Sequence, residues 1–312
     1  MRGVSATLAL AGLIGVIAAA TAASAESVTL TGRFPADYRE PSFLKRMGVN
    51  RIDGPDGAAL GYALERALAN RGHYSVVVLN GRSGTSGDVD GLLSGLVTTE
   101  INELRVTEER DNCVEKRKNE AGKEECVRKE KETIYCRKRT IDLTADLRIA
   151  RASDGRIAYS TRKPRHNEVK WCPGQSAPGA VDGTVRGMTD SIADEIAREI
   201  SPRTERYTPR FYESRDGMPK EMHTRFKDAI RATQRDLPGA CRELEAMEAA
   251  APQFAIAYDV GICAEARGEY EAAIDAYRRA ATLRPRDTVD FDSAIDRVRK
   301  LIVQRDDERA RR

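Results

Sequence analysis

The chain has 312 residues, 32% of them charged and 40% hydrophobic, and 52 Lys and Arg against 49 Asp and Glu leave a net charge of +3. That is enough chain for two modest domains. The near balance of charge excludes the one-signed field on which nucleic-acid binders rely, so no nucleic acid is expected among the partners.

Residues 1–25 read as a secretory signal peptide: Arg2, an apolar run, then the small residues Ala23-Ser24-Ala25 as a cleavage site. Cleavage near Ala25 predicts a periplasmic or secreted product beginning at Glu26. No later stretch is long and apolar enough to span a bilayer, so no transmembrane segment is expected in the mature chain. Residues 26–46 show no periodicity and read as an irregular N-terminal segment.

Met47–Ile52 then predicts a strand. Leu60, Leu64, Ala67 and Leu68 recur at helical spacing, with Asp56 near the start and Gly72 just past the end. Tyr74–Leu79 predicts a second strand, closed by the turn pair Asn80-Gly81. The glycine-rich stretch 81–91 lacks the Gly-Lys-Ser/Thr ending of a phosphate loop and reads as a plain loop. A third strand from Leu92 continues into a charged ribbon whose tip is Asn119–Gly122. On the return arm Ile141, Leu143, Ala145, Leu147 and Ile149 alternate with polar residues, the pattern of a half-buried antiparallel strand. Asp154-Gly155 predicts a type I′ hairpin into Arg156–Lys163. Val185, Met188, Ile192 and Ile196 mark a second amphipathic helix, ended by Pro202. The expected fold of residues 47–202 is α+β, a mostly antiparallel sheet with helices on one face.

Residues 203–219 are polar and aperiodic and predict a linker. Beyond it an all-α helical-repeat domain is expected at 220–287. Ala257, Gly261, Ala264, Gly268, Tyr270, Ala273, Tyr277, Ala280 and Pro285 stand at the intervals of a tetratricopeptide repeat, in which small residues let two antiparallel helices approach. Ala240, Leu244, Met247 and Pro252 echo the second half of that pattern, and Phe226 and Ile230 supply the preceding helix. Residues 288–312 predict a capping helix, through Ile295, Val298 and Ile302, and a tail.

The six cysteines, Cys113, Cys126, Cys136, Cys172, Cys241 and Cys263, admit two readings. In an exported protein they form disulfides. None is spaced as the close C-x2-4-C pairs of a zinc site, although His166 lies near Cys172, so no metal is expected. Strand register proposes the pairs: the ribbon tip is nearly centred between Cys113 and Cys126. Counting outward from the Asp154-Gly155 turn sets Cys136 opposite Pro173, so one bulge aligns it with Cys172. Cys241 and Cys263 fall on helices that adjoin in stacked repeats; a disulfide there competes with two buried thiols.

The segments IDGPDGAALGYALERAL, VDGLLSGLVTTEI, TIDLTADLRIARASDGRIAYST and DSIADEIAREISP resemble the domain of the curli-secretion-channel (CsgG-like) family, whose architecture the lipoprotein activators of penicillin-binding proteins share. Gly95, Ser153–Ile157 and Ile200–Pro202 occupy its motif positions. The resemblance covers roughly Gly48 to Pro202, and the tetratricopeptide one about Phe226 to Pro285. The family implies no catalytic residues. Its channel and activator members are lipoproteins, whereas no cysteine stands just after the cleavage site here, and a ribbon charged on both faces does not suit a bilayer core.

No Ser-His-Asp set, His-Glu-x-x-His, phosphate loop or framed carboxylate pair is present. The expectation is a non-enzymatic scaffold of the bacterial cell envelope, without cofactors, binding protein partners through the α+β domain and the repeats. The competing expectations are an outer-membrane-associated secretion or assembly factor, and an enzyme or regulator of cell-wall synthesis with a site around His166, Trp171 and Cys172.

Overall fold

The computed structural model describes residues 26–79, 89–283 and 291–312. The signal peptide, the Asn80-Gly81 turn, most of the glycine-rich loop and Pro285 lie outside the described residues. The chain divides into two compact units, one of Thr31–Tyr207 with Asp292–Arg312, the other of Thr208–Phe291 with the residues before Thr31.

The first unit is α+β, as its periodicities predict. Its elements are β1 (Leu30–Phe34), α1 (Arg39–Ser42), β2 (Arg46–Asp53), α2 (Gly57–Arg71), β3 (Ser75–Val78), β4 (Gly91–Lys118), β5 (Glu124–Arg151), β6 (Ile157–Trp171), α3 (Val181–Ile200) and β7 (Arg203–Tyr207). The main sheet has the order β3-β2-β4-β5-β6. β2 pairs parallel with both β3 and β4, and β4-β5 and β5-β6 pair antiparallel. The sheet is therefore mixed. The β2-α2-β3 crossover forces the first parallel pair, and the long hairpins supply the antiparallel majority.

Alternation sorts the sheet residues into two faces. Leu93 and Val97 of β4 and Ile141, Leu143, Ala145, Leu147 and Ile149 of β5 are buried against Leu60, Leu64 and Leu68 of α2 and Ile192, Ile196 and Ile200 of α3. A few of these side chains at about 1.5–3 kcal/mol each dominate the favourable side of folding. The opposite face carries Ser94, Leu96, Asp146, Arg148, Ser160 and Arg162.

Three expectations are corrected in this unit. The segment 26–46 is not irregular: it holds β1 and α1. The linker 203–219 begins with β7, which pairs with β1 in a separate two-stranded sheet. The turn after β5 is wider than a two-residue hairpin: Arg151 N–H donates to Arg156 O, Gly155 N–H donates to Arg151 O, and Gly155 takes a φ of 72°. Asp154 Oδ1 accepts from Arg156 N–H and holds that wider loop.

The second unit holds α4 (His223–Ala232), α5 (Leu237–Ala250), α6 (Phe254–Ala266) and α7 (Tyr270–Thr282), two successive helical hairpins. Asp236 caps α5 by accepting from Gly239 N–H, and Pro238 sits in the first turn, where its missing N–H costs nothing. The last helix, α8 (Phe291–Arg311), groups from Asp292 onward with the sheet unit rather than with the four helices. Its acids and bases account for this: Arg33 pairs with Glu308 at 3.0 Å, Arg39 pairs with Asp307, and Arg311 Nη2 donates to Leu44 O and His73 O.

Candidate functional site

The ribbon is the feature that core packing explains least. β2 accompanies β4 only as far as Leu96, and β6 accompanies β5 only as far as Arg137. From Val106 to Lys118 and from Glu124 to Cys136 the two strands pair with each other alone. Thirteen residues at the strand rise give an arm of roughly 45 Å. At its tip Asn119 Oδ1 accepts from the N–H groups of Ala121 and Lys123, and Gly122 takes a φ of 76°. That Asx turn is why the sequence reverses here.

Disulfides close the arm at both ends. Cys113 bonds Cys126 and Cys136 bonds Cys172, with Cα separations of 5.8 and 4.1 Å, and Cys241 bonds Cys263 in the helical unit. These are the three pairs that register and helix adjacency proposed. In β6 the bulge falls at Ala158, because Ile149 faces Tyr159 while Ala150 faces Ile157. It lies beside the turn rather than at a proline. The ladder then runs unbroken to Arg137 opposite Trp171, which brings Cys136 and Cys172 side by side. Near the tip, bulges at Val114 and Val127 let Cys113 reach Cys126.

The arm carries more than charge. Pairs such as Lys131–Glu109 at 2.8 Å and Lys116–Glu124 at 3.4 Å cross its faces; exposed, each is worth little. Val114, Val127 and Tyr135 are exposed on it, Tyr135 by 69%, and Ile101 and Leu104 are exposed at its base. An isolated hairpin is marginal in water, so the covalent clamps do what a core does elsewhere.

The residues considered for chemistry make the following contacts. His166 Nδ1 lies 2.7 Å from Asp142 Oδ1 on the open face. The Arg139 guanidinium stacks over the Trp171 ring at 5.3 Å and donates to Gly179 O. Glu108 reaches both sulfurs of the Cys136–Cys172 bond and the Lys170 ammonium. With those sulfurs joined, the trio Glu108, Cys136 and Cys172 offers no thiolates to a metal. Lys163 donates to Glu195 at 2.9 Å and to Glu199, and Arg165 pairs with Glu195. The Lys163 and Arg165 hydrogen bonds hold the Glu195 carboxyl below the usual range. Burial works against the Lys163 charge, but its bonds to Glu199 and Glu195 hold it above the usual lysine value. This network ties β6 to α3.

In the helical unit the signature residues pack as small-to-large contacts. Ala257, Ala264, Ala273, Tyr277 and Ala280 are buried, and Gly268 takes a φ of 76° between α6 and α7. Tyr277 donates to Glu265 Oε2 at 2.8 Å; Tyr270 opens α7. Sequence reasoning missed Asp259, a fully buried carboxylate whose Oδ1 accepts from Tyr212 N–H at 2.7 Å and whose Oδ2 has no partner among the described residues. An acid in the middle of the apolar run FAIAYDVGICA was the available signal. Tyr212 and Phe291 pack edge-on against Phe254. The inner helix α6 is thus buried on nearly every side.

No protein-family model matches the chain, and no curated protein does. Among solved structures, a PelC dodecamer from Paraburkholderia phytofirmans is similar at 15% identity over 56% of this chain and 98% of that one, with a TM-score of 0.27. A minor lipoprotein from Acinetobacter baumannii is similar at 12% identity over 50% and 90%, TM-score 0.26. A putative neuraminyllactose-binding hemagglutinin homolog from Helicobacter pylori is similar at 13% identity over 55% and 89%, TM-score 0.30. At these scores the likenesses do not define a fold or a function.

Proposed function

We propose that the chain is a non-enzymatic, exported scaffold of the bacterial cell envelope, a CsgG-like domain joined to tetratricopeptide-like helices, which holds a protein partner through its stapled arm. The arm carries the reading: Cys136 alone of its residues is buried, it is clamped by two disulfides, and it presents Val114, Val127 and Tyr135 to solvent. Exposed apolar side chains on a rigid, otherwise polar element are the anchors from which interfaces are built. Three disulfides and no cysteine left free suit an oxidising compartment. No described helix is long and apolar enough to cross a membrane.

The test is cross-linking in intact periplasm, with mass spectrometry of the products, for the natural chain and for a Val114→Glu/Val127→Glu/Tyr135→Ala variant. A partner cross-linked to the natural chain and lost from a folded variant supports the reading. An unchanged cross-link pattern would remove the arm from the interface.

A further inference from the structure

A cavity of about 500 Å³ lies where β1, the starts of β2 and β3, and the end of α8 meet. Four cationic side chains line it, Arg33, Lys45, Arg311 and Arg312, against the single side-chain carboxylate of Glu308. Glu308 is spent on Arg33, at 3.0 Å.

Arg311 is the unusual member. Its guanidinium is half-buried, and every hydrogen bond it makes goes to a neutral acceptor: His73 Nδ1 at 3.1 Å, Leu44 O at 3.0 Å and His73 O at 2.6 Å. Its Nε is buried without a partner, and no carboxylate pairs with it among the described residues. His73 cannot supply the missing charge. Its Nε2–H donates to Ser42 O at 2.8 Å, so Nδ1 is the acceptor for Arg311 and the ring is neutral. Lys45 Nζ lies 3.3 Å from the main-chain oxygen of Arg312, a carboxylate oxygen in this chain.

A guanidinium held away from water without a counter-charge is costly. The Arg312 carboxylate, the nearby Asp90 charge and the partial negative charge at the end of α8, about half an elementary charge, offset part of the excess and not the whole of it. We propose that this cavity binds an oxyanion of the phosphate class, with Arg311 as the buried counter-charge, Lys45 and Arg312 as mobile clamps and the Ser75 hydroxyl at the wall. Guanidinium and ammonium donors together suit the several acceptor oxygens of a phosphoryl group. The same group is carried by free phosphates and by anionic lipid headgroups.

Two probes separate those sources: titration calorimetry of the full chain with inorganic pyrophosphate, and flotation with phosphatidylglycerol vesicles against phosphatidylcholine vesicles. Each is run on the natural chain, on Lys45→Ala/Arg312→Ala, and on Arg148→Ala, whose residue lies on the open sheet face. Saturable pyrophosphate binding, weakened at least about tenfold in the double variant and unchanged in Arg148→Ala, supports a site for a free oxyanion. Selective flotation with phosphatidylglycerol that the double variant loses supports a headgroup site. The proposal is overturned if neither probe binds, if both variants bind as the natural chain does, or if Arg148→Ala loses as much as the double variant. Because the double variant alters exposed side chains, its fold is checked by its unfolding midpoint.

Discussion

Gly261 of α6 sits against the ring of Tyr277 of α7: a Cβ at Gly261 would lie 2.5 Å from that ring. Tyr277 is fully buried and hydrogen-bonded to Glu265, so the ring has nowhere to retreat. Gly261→Ala is therefore expected to destabilise the helical unit by about 1–3 kcal/mol, although alanine is the better helix former. Gly187, exposed in α3 with open space around it, provides the contrast. Gly187→Ala is expected to be neutral or to stabilise by up to ~1 kcal/mol. Denaturant unfolding of both variants measures the signs, and a stabilising Gly261→Ala would mean that the two helices are not held this close.

Burial is the main cause that lowers His73 to about 4, with the Arg311 charge adding to it. The folded pKa lies below the unfolded value near 6.5. The resulting stability is fully present above the unfolded value and is lost as pH falls from about 6.5 toward 4, a window worth about 3 kcal/mol. Imidazole titration by NMR is expected to find His73 neutral, with its proton on Nε2, down to that range. A titration midpoint at or above 6.5 would contradict the buried contact with Arg311.

Asp259 has the opposite sign. Burial, followed in effect by the nearby Glu213 charge, raises its carboxyl well above the ordinary value, against the lowering effect of the Tyr212 N–H bond. A raised carboxyl pKa gives stability that is complete below the unfolded value and is lost as pH rises through the folded one. Asp259→Asn keeps an acceptor for Tyr212 N–H and removes the titration. Relative to the natural chain it is expected to gain stability between pH 4 and pH 7. Asp259→Ala strands that N–H and is expected to cost about 1–3 kcal/mol at pH 4. Unfolding at the two pH values tests both.

The two sheet disulfides are expected to differ in what their loss does. Cys136–Cys172 ties the far end of β6 to β5 beside the core, across a sequence separation of 36. Cys136→Ala/Cys172→Ala is expected to lower global stability by about 3–4 kcal/mol. Cys113–Cys126 lies on the part of the arm that no third strand supports. Cys113→Ser/Cys126→Ser is expected to leave the unfolding midpoint nearly unchanged while hydrogen exchange in residues 107–133 accelerates. Equal loss of global stability in both would show that the arm folds as one unit with the core.

How far these features were legible depends on how locally they are encoded. The alternation Ile141 to Ile149 and the turns at Asn119–Gly122 and Asp154-Gly155 are local; counting from the two turns gave the two sheet disulfides, and helix adjacency gave Cys241–Cys263. β7, with the sequence RTERY, carries charge at three of its five positions and pairs only with the distant Leu30–Phe34; neither period nor apolar content marks such a strand. The wider loop at Asp154 depends on the Arg151–Arg156 main-chain bond, to which a dipeptide signal is blind. The grouping of α8 rests on Arg33, Arg39 and His73 meeting Glu308, Asp307 and Arg311, partners more than 230 residues away. The cationic cavity is assembled from the same long-range contacts and left no motif in the sequence.

The strands of the arm are the strands of the core. β4 runs without a break from Leu93 beneath α2 and α3 to Lys118 near the tip, and β5 returns from Glu124 to Ile149 in the same way. A pull on the tip along the arm therefore drags both strands in one direction. It loads the β2–β4 and β5–β6 ladders in shear, where many hydrogen bonds bear the force together, and does not peel them open one at a time. On the β6 side the Cys136–Cys172 bond stands first in line and takes tension before the ladder does. Force applied at Gly122 would thus pass along two unbroken strands to the layer that packs under α2 and α3.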